Sequence, residues 1–258
     1  MTNILIFGHK NPDTDTICSS IVYNNLKRLQ GMDTEAVRLG ELNDETKYAL
    51  EYFGVSTPRL VESLKEGQHV ILVDHNEFQQ SANGIENAVI REVIDHHRIA
   101  NFETAAPLYY RAEPLGCTAT ILKKIYEEQS VHINKQMAGL MLSAIISDSL
   151  LFKSPTCTDE DKKVAAELEK IAGINKEEYG MDMLKAGTDL SSYSIEEILN
   201  IDRKTAVYGN YKASINQVMT ADVEETLKLK EELEAGMQKM IENENLDLFM
   251  LLITDIIN

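Results

Sequence analysis

Apolar residues along this chain gather in short runs that alternate with stretches of helical spacing. Ile4-Leu5-Ile6-Phe7 and His69-Val70-Ile71-Leu72-Val73 read as strands buried on both faces, and residues 90–94 give a third strand. Between them, residues 16–30 place Ile17, Ile21, Val22 and Leu26 on one helical face with Gly31 as the stop, and residues 44–53 form a helix ended by Gly54. Residues 34–39 predict another strand, Pro58 breaks the segment after the second helix, and residues 109–112 predict a short edge strand. A helix opens at Gly116-Cys117-Thr118-Ala119-Thr120 and runs to residue 129, its start suited to close approach of an anion. Residues 135–147 are apolar on almost every side, which predicts a buried helix with Asp148 directly behind it. Thr158 and Asp161 resemble a capping box for a helix ending near Gly173, and residues 179–186 give another short helix.

The pattern changes after the polar segment 189–194. Beyond it come a helix from Ile195, strands at 205–208 and 211–218 joined by Gly209-Asn210, a long charged helix over 223–242 and a strand over 246–253. The expected fold class is therefore α/β. A mainly parallel sheet flanked by helices occupies residues 1–188, 189–194 is a linker, and 195–258 is a smaller α/β second domain that is shortened at its C-terminal end.

Composition narrows the partners more than the chemistry. With 25 Lys plus Arg against 42 Asp plus Glu, the formal charge is −17, which disfavours nucleic acid and anionic membrane. The three cysteines lack Cys-x-x-Cys spacing and read as reduced, small apolar residues. Neither a signal peptide nor a run of about 18 apolar residues is apparent, so a cytoplasmic protein with no membrane partner is expected.

Three predicted strands run into acids and histidines at the same relative place. The first leads to Gly8-His9-Lys10-Asn11-Pro12-Asp13-Thr14-Asp15, the second to Asp74-His75-Asn76 and the third to Asp95-His96-His97. In a parallel sheet those ends share one rim, where ligands bind. Taken alone, the first stretch reads equally as a helix cap by Asp13 or Thr14 and as a metal site. Asp148, beside so buried a helix, needs either a metal or a hydrogen-bonded cap. Collected, His9, Asp13, Asp15, Asp74, His96 and Asp148 form the mixed oxygen and nitrogen set that two divalent ions about 3.5–4 Å apart require.

These residues carry a specific resemblance. Phe7-Gly-His-Lys-Asn-Pro-Asp-Thr-Asp15, Val73-Asp-His-Asn-Glu77, Val93-Ile-Asp-His-His-Arg-Ile-Ala-Asn-Phe-Glu103 and the stretch from Leu142 to Cys157 resemble the motifs of the manganese-dependent (family II) inorganic pyrophosphatases, within the Asp-His-His phosphoesterase superfamily. The resemblance implies hydrolysis of pyrophosphate to two phosphates by a metal-bridging hydroxide. It implies two Mn²⁺ or Co²⁺ per chain, Mg²⁺ arriving with the substrate, and a homodimer paired through the N-terminal domain. By position, one ion takes His9, Asp13 and Asp74, and the other takes Asp15, Asp74, His96 and Asp148. His97 then serves as a phosphate contact or general acid, unless it only orients a neighbouring ligand. Asp95 supports a neighbour rather than ligating. Lys204, a plain surface lysine on residue type alone, is implied as a phosphate contact from the second domain.

The same family carries a Ser-Arg-Lys-Lys-Gln segment that clamps the substrate, and these 258 residues contain none. The expectation is intact metal binding with much reduced hydrolysis. The alternatives are a metal-binding but catalytically silent protein, or a phosphoesterase acting on polyphosphate or oligonucleotides.

Overall fold

Strands β1 (Ile4–Phe7), β2 (Thr34–Arg38), β3 (Arg59–Leu60), β4 (His69–Val73), β5 (Val89–Asp95) and β6 (Tyr109–Ala112) form one sheet in the order β3-β2-β1-β4-β5-β6. Every pairing in it is parallel. The computed structural model describes residues 3–191 and 193–256; Ser192, in the predicted linker, lies outside the described residues. Because β1 sits between β2 and β4, the chain's winding reverses there, which opens a crevice at the strands' C-terminal ends. Phe7 lies beside Leu72, and Val73 beside Ile94, so β1, β4 and β5 finish close to one level.

Alternation along these strands sorts their side chains onto two faces. Ile6, Ile71, Val73 and Ile94 enter one apolar cluster with residues of α1 (Thr14–Leu29), α2 (Asp44–Tyr52), α3 (Thr118–Glu128), α4 (Lys135–Ser149) and α5 (Asp159–Ala172). Leu5, Phe7, Val70, Leu72 and Val93 enter a second cluster on the other face, closed by Phe78, Ile85, Phe102 and their neighbours. Helix α4 is buried from Met137 to Ile146, and each fully buried Leu or Ile there contributes about 1.5–3 kcal/mol relative to exposure. Gly139 is required in it because a Cβ would overlap the Phe53 ring. The predicted capping box of α5 is present, with Thr158 and Asp161 bonding reciprocally. Helix α4 runs two residues beyond the predicted end, so Asp148 lies in its last turn rather than after it.

The chain divides into two compact units, Met1–Met183 and Leu184–Asn258. The boundary falls inside α6 (Lys176–Gly187), upstream of the expected linker. The second unit holds α7 (Ile195–Ile198), β7 (Lys204–Tyr208), β8 (Tyr211–Thr220), α8 (Val223–Leu227), α9 (Lys230–Glu244) and β9 (Leu248–Asp255). β7 and β8 form the expected hairpin, with Gly209 at φ 64°, and β9 adds parallel to β8. Ile198, Leu199, Val218, Leu233, Leu246 and Phe249 make its core. The single helix expected over 223–242 is two. Thr226 bonds back to the Asp222 carbonyl, which weakens and bends a helix, and the amides of Lys228 and Leu229 then take the tighter three-residue bonds to Glu225 and Thr226. Apolar spacing continues through Leu229 and Leu233, so the pattern alone conceals the break.

Candidate metal centre

The segment after β1 is held close to α1. A Cβ on Gly8 would lie 2.5 Å from Thr16 Cγ2, so only glycine admits this approach. Asp13 is the N-cap of α1, its Oδ1 accepting from the Thr16 amide at 2.9 Å. Its Oδ2 lies 3.2 Å from His9 Nε2. The cap and the ligand cluster therefore use different oxygens of one carboxylate, and the two readings of the stretch coexist.

Asp15, in the first turn of α1, is fully buried. Its carboxylate accepts from Ser19 Oγ at 2.6 Å and from the amides of Thr118 and Ala119 at 2.7 and 3.2 Å. The anion at the start of α3 is thus an internal carboxylate, favoured by the orphan amides and positive end of that helix.

Asp74 is central. It follows β4 in the left-handed region at φ 58°, and 1 % of its side chain is exposed. Thr16 Oγ1 donates to Oδ2 at 2.6 Å and Thr118 Oγ1 donates to Oδ1 at 3.1 Å. His9 Nε2 lies 3.5 Å from Oδ2, and His96 Nε2 lies 3.4 Å from Oδ1. The Leu115 carbonyl accepts from His96 Nδ1 at 2.9 Å, so that once Nε2 gives up its proton its lone pair faces the cluster. His75, in the same motif, is buried between the Val73 carbonyl and Ser81 Oγ. Burial lowers it to about 4, so it stays neutral.

Asp148 enters from the end of α4, in contact with the Cys117 thiol. Directly beyond, Leu150, Leu151 and Phe152 take φ 46°, 53° and 66°. Three consecutive left-handed residues other than glycine cost about 1–2 kcal/mol each, a strain that the surrounding packing sustains beside the cluster.

The ligand atoms fall into three groups, each within 4.8 Å: His9, Asp13 and Asp74; Asp15, His96 and Asp148; and Asp74, His96 and His97. The six residues expected as ligands are brought together, with His97 beside them. Lys204 belongs to the second unit, where its side chain is 81 % exposed and pairs with Asp202 at 3.3 Å. Sequence reasoning missed Thr16, Ser19 and Glu45, whose hydroxyls and carboxylate bond to the ligand-bearing segments, because hydroxyl residues next to Asp are too common to signal this; Thr118 was marked only as part of an anion-ready helix start.

The electrostatics fit divalent ions. Burial raises Asp15 to about 7, aided by the charge of Asp74. Burial and the charges of Asp15 and Asp74 raise Asp148 well above the carboxylate range. For Asp74, burial is outweighed by the hydrogen bond and charge of His96 and by His9, which hold it low. For His96, burial is likewise outweighed by Asp74 and Asp15, which raise it to about 9. Carboxylates crowded in this way repel one another, and hard cations with imidazole and carboxylate donors relieve the repulsion.

A pH dependence follows for the metal-free protein. Asp15, raised from 3.8 to about 7, and His96, raised from 6.5 to about 9, bind protons more tightly in the folded state. Their contributions are present at low pH and are lost as pH rises through those values, whereas that of Asp74 is present above its ordinary range and lost on acidification. After chelator treatment the melting temperature is expected to fall between about pH 5 and 9, and added Mn²⁺ is expected to restore it with release of protons. A melting temperature that stays level or rises over that window without metal would contradict this electrostatic account.

Residues 3–145 match the family model described as the DHH family, N-terminal domain, and residues 181–258 match the DHHA2 domain. The chain is 62 % identical to a protein of Exiguobacterium sp. named probable manganese-dependent inorganic pyrophosphatase. It is 61 % identical to the manganese-dependent inorganic pyrophosphatase of Bacillus subtilis. Both alignments span 100 % of this chain and 84 % of the relative. The crystal structure of a putative family II inorganic pyrophosphatase from Methanococcus jannaschii is similar at a TM-score of 0.74 and 42 % identity, over 98 % of this chain and 84 % of that one.

Proposed function

Since this chain belongs to the DHH family and, within it, to the manganese-dependent inorganic pyrophosphatases, we propose that it hydrolyses inorganic pyrophosphate to two phosphates using divalent metal. The observation that carries the proposal is the convergence on Asp74 of His9 and Asp13 from one side and of His96 from the other, with Asp15 and Asp148 grouped around that same His96. One Mn²⁺ or Co²⁺ would be held by His9, Asp13 and Asp74, and a second by Asp15, Asp74, His96 and Asp148, with Asp74 common to both sets. Bound there, the ions supply Lewis acidity toward phosphoryl oxygens and lower the pKa of water.

The protein's own groups do the rest. Thr16 and Thr118 fix the Asp74 carboxylate from behind, and the α3 amides with Ser19 fix Asp15. Asp95 accepts from the His97 amide and from Nδ1, and is itself held by Asn76 at 2.6 Å. That hydrogen bond raises the His97 pKa, and the ring is 51 % exposed. A fixed, partly protonated imidazole of this kind contacts phosphate and delivers a proton to the leaving group. Lys204 is assigned to the substrate phosphate, and Mg²⁺ to the incoming pyrophosphate. A homodimer paired through the first unit and a cytoplasmic location belong to the same proposal; light scattering tests the first.

The test of the activity is phosphate release after Mn²⁺ loading, with Mg-pyrophosphate, tripolyphosphate and a dinucleotide compared. Preference for pyrophosphate is the expected result. Release from the dinucleotide alone, or from none of the three with manganese bound, would overturn the proposal.

A further inference from the structure

Glu45 lies in the first turn of α2, behind the Asn43 cap, and belongs to none of the three ligand groups. Its Oε1 accepts from two hydroxyls, Thr14 Oγ1 at 2.7 Å and Ser147 Oγ. Thr14 stands between Asp13 and Asp15, at the start of α1. Ser147 immediately precedes Asp148, at the end of α4. The Thr14 proton is committed to Glu45, so Thr46 Oγ1, 3.0 Å away and fully buried, is the donor in the Thr14–Thr46 contact.

A single carboxylate oxygen on α2 therefore ties together the two segments that carry Asp13, Asp15 and Asp148. Those segments come from elements distant in sequence, whose apolar side chains, Ile17, Leu142 and Ile145 among them, share one buried cluster. Apolar packing is non-directional and leaves fractions of an ångström undetermined, whereas ligand distances must hold to within about 0.2 Å. Hydrogen bonds from two hydroxyls to one carboxylate oxygen are directional, and they supply that register.

On the two-ion reading of the cluster, we infer that Glu45 is a positioning residue that sets the separation between the Asp13–Asp15 segment and Asp148, and with it the spacing of the two ions. Its role requires an acceptor oxygen rather than a ligand contact. Glutamine retains such an oxygen and alanine does not.

The test is Mn²⁺ titration and electron paramagnetic resonance of wild type, Glu45→Ala, Glu45→Gln and Ser147→Ala. Glu45→Ala is expected to lose about 10- to 100-fold in Mn²⁺ affinity, the range typical of groups that orient ligands, and to weaken the spin coupling between the ions. Glu45→Gln should recover most of both properties, and Ser147→Ala should change them in the same direction as Glu45→Ala. If Glu45→Ala does not fold, Ser147→Ala, which leaves Glu45 in place, decides the matter. Two coupled ions bound equally well by wild type, Glu45→Ala and Ser147→Ala would overturn the positioning role and leave the two-ion reading intact. Failure of wild type to bind two ions would remove that reading, and the inference with it.

Discussion

Asp74→Asn is expected to abolish two-ion binding and to lower the remaining Mn²⁺ affinity by more than the roughly 100-fold that loss of an orienting neighbour costs. Both Asp74 oxygens are engaged, one toward His9 and the other toward His96. The amide removes the charge and turns a donor toward one of these sides. Backbone strain does not confuse the result, because asparagine tolerates the left-handed conformation that Asp74 adopts at φ 58°. Of the two threonine hydroxyls behind the carboxylate, which donate to different oxygens, only one can then donate to the amide oxygen, and the other faces the amide NH2. Calorimetric titration with Mn²⁺ checks the outcome, and a variant that still takes up two ions with wild-type affinity would show that Asp74 is not shared.

His97→Gln is expected to separate binding from turnover. His97 joins one of the ligand groups, yet its Nδ1 is 3.0 Å from Asp95 and 3.7 Å from Asp74, and half of its ring faces solvent. The variant should therefore keep both ions while phosphate release falls by about 10²- to 10⁴-fold, the usual contribution of a positioned acid or base. The sign of the pH effect follows from the Asp95 hydrogen bond, which raises the His97 pKa and holds the proton on the ring to higher pH. Wild-type activity should decline on the alkaline side as that proton is lost, and the decline should disappear in His97→Gln. Loss of an ion from the variant would instead make His97 a ligand.

Much of this site was legible because parallel strands buried on both faces must be apolar throughout, so the first polar residues after them stand out. His9 and Asp74 are such residues; His96 follows β5, which itself carries Arg91, Glu92 and Asp95, and parallel pairing carries all three to one rim. Asp13 was ambiguous for a physical reason: one of its oxygens caps α1 while the other faces His9. The anion-ready start of α3 was also visible, but that its anion is Asp15 depends on a contact across 103 residues. Glu45 was not legible at all. An acid in a helix's first turn normally serves the helix dipole, and only the folded chain brings Ser147 and Thr14 to it. The break between α8 and α9 stayed hidden because the apolar period runs unchanged across it.

The central claim is that the strand ends hold two ions sharing Asp74. Mn²⁺ titration of the wild-type chain, followed by electron paramagnetic resonance of the loaded protein, tests it most directly. The expected result is two Mn²⁺ per chain with the spectrum of a spin-coupled pair. One Mn²⁺ per chain, or two with the spectra of isolated ions, would contradict it.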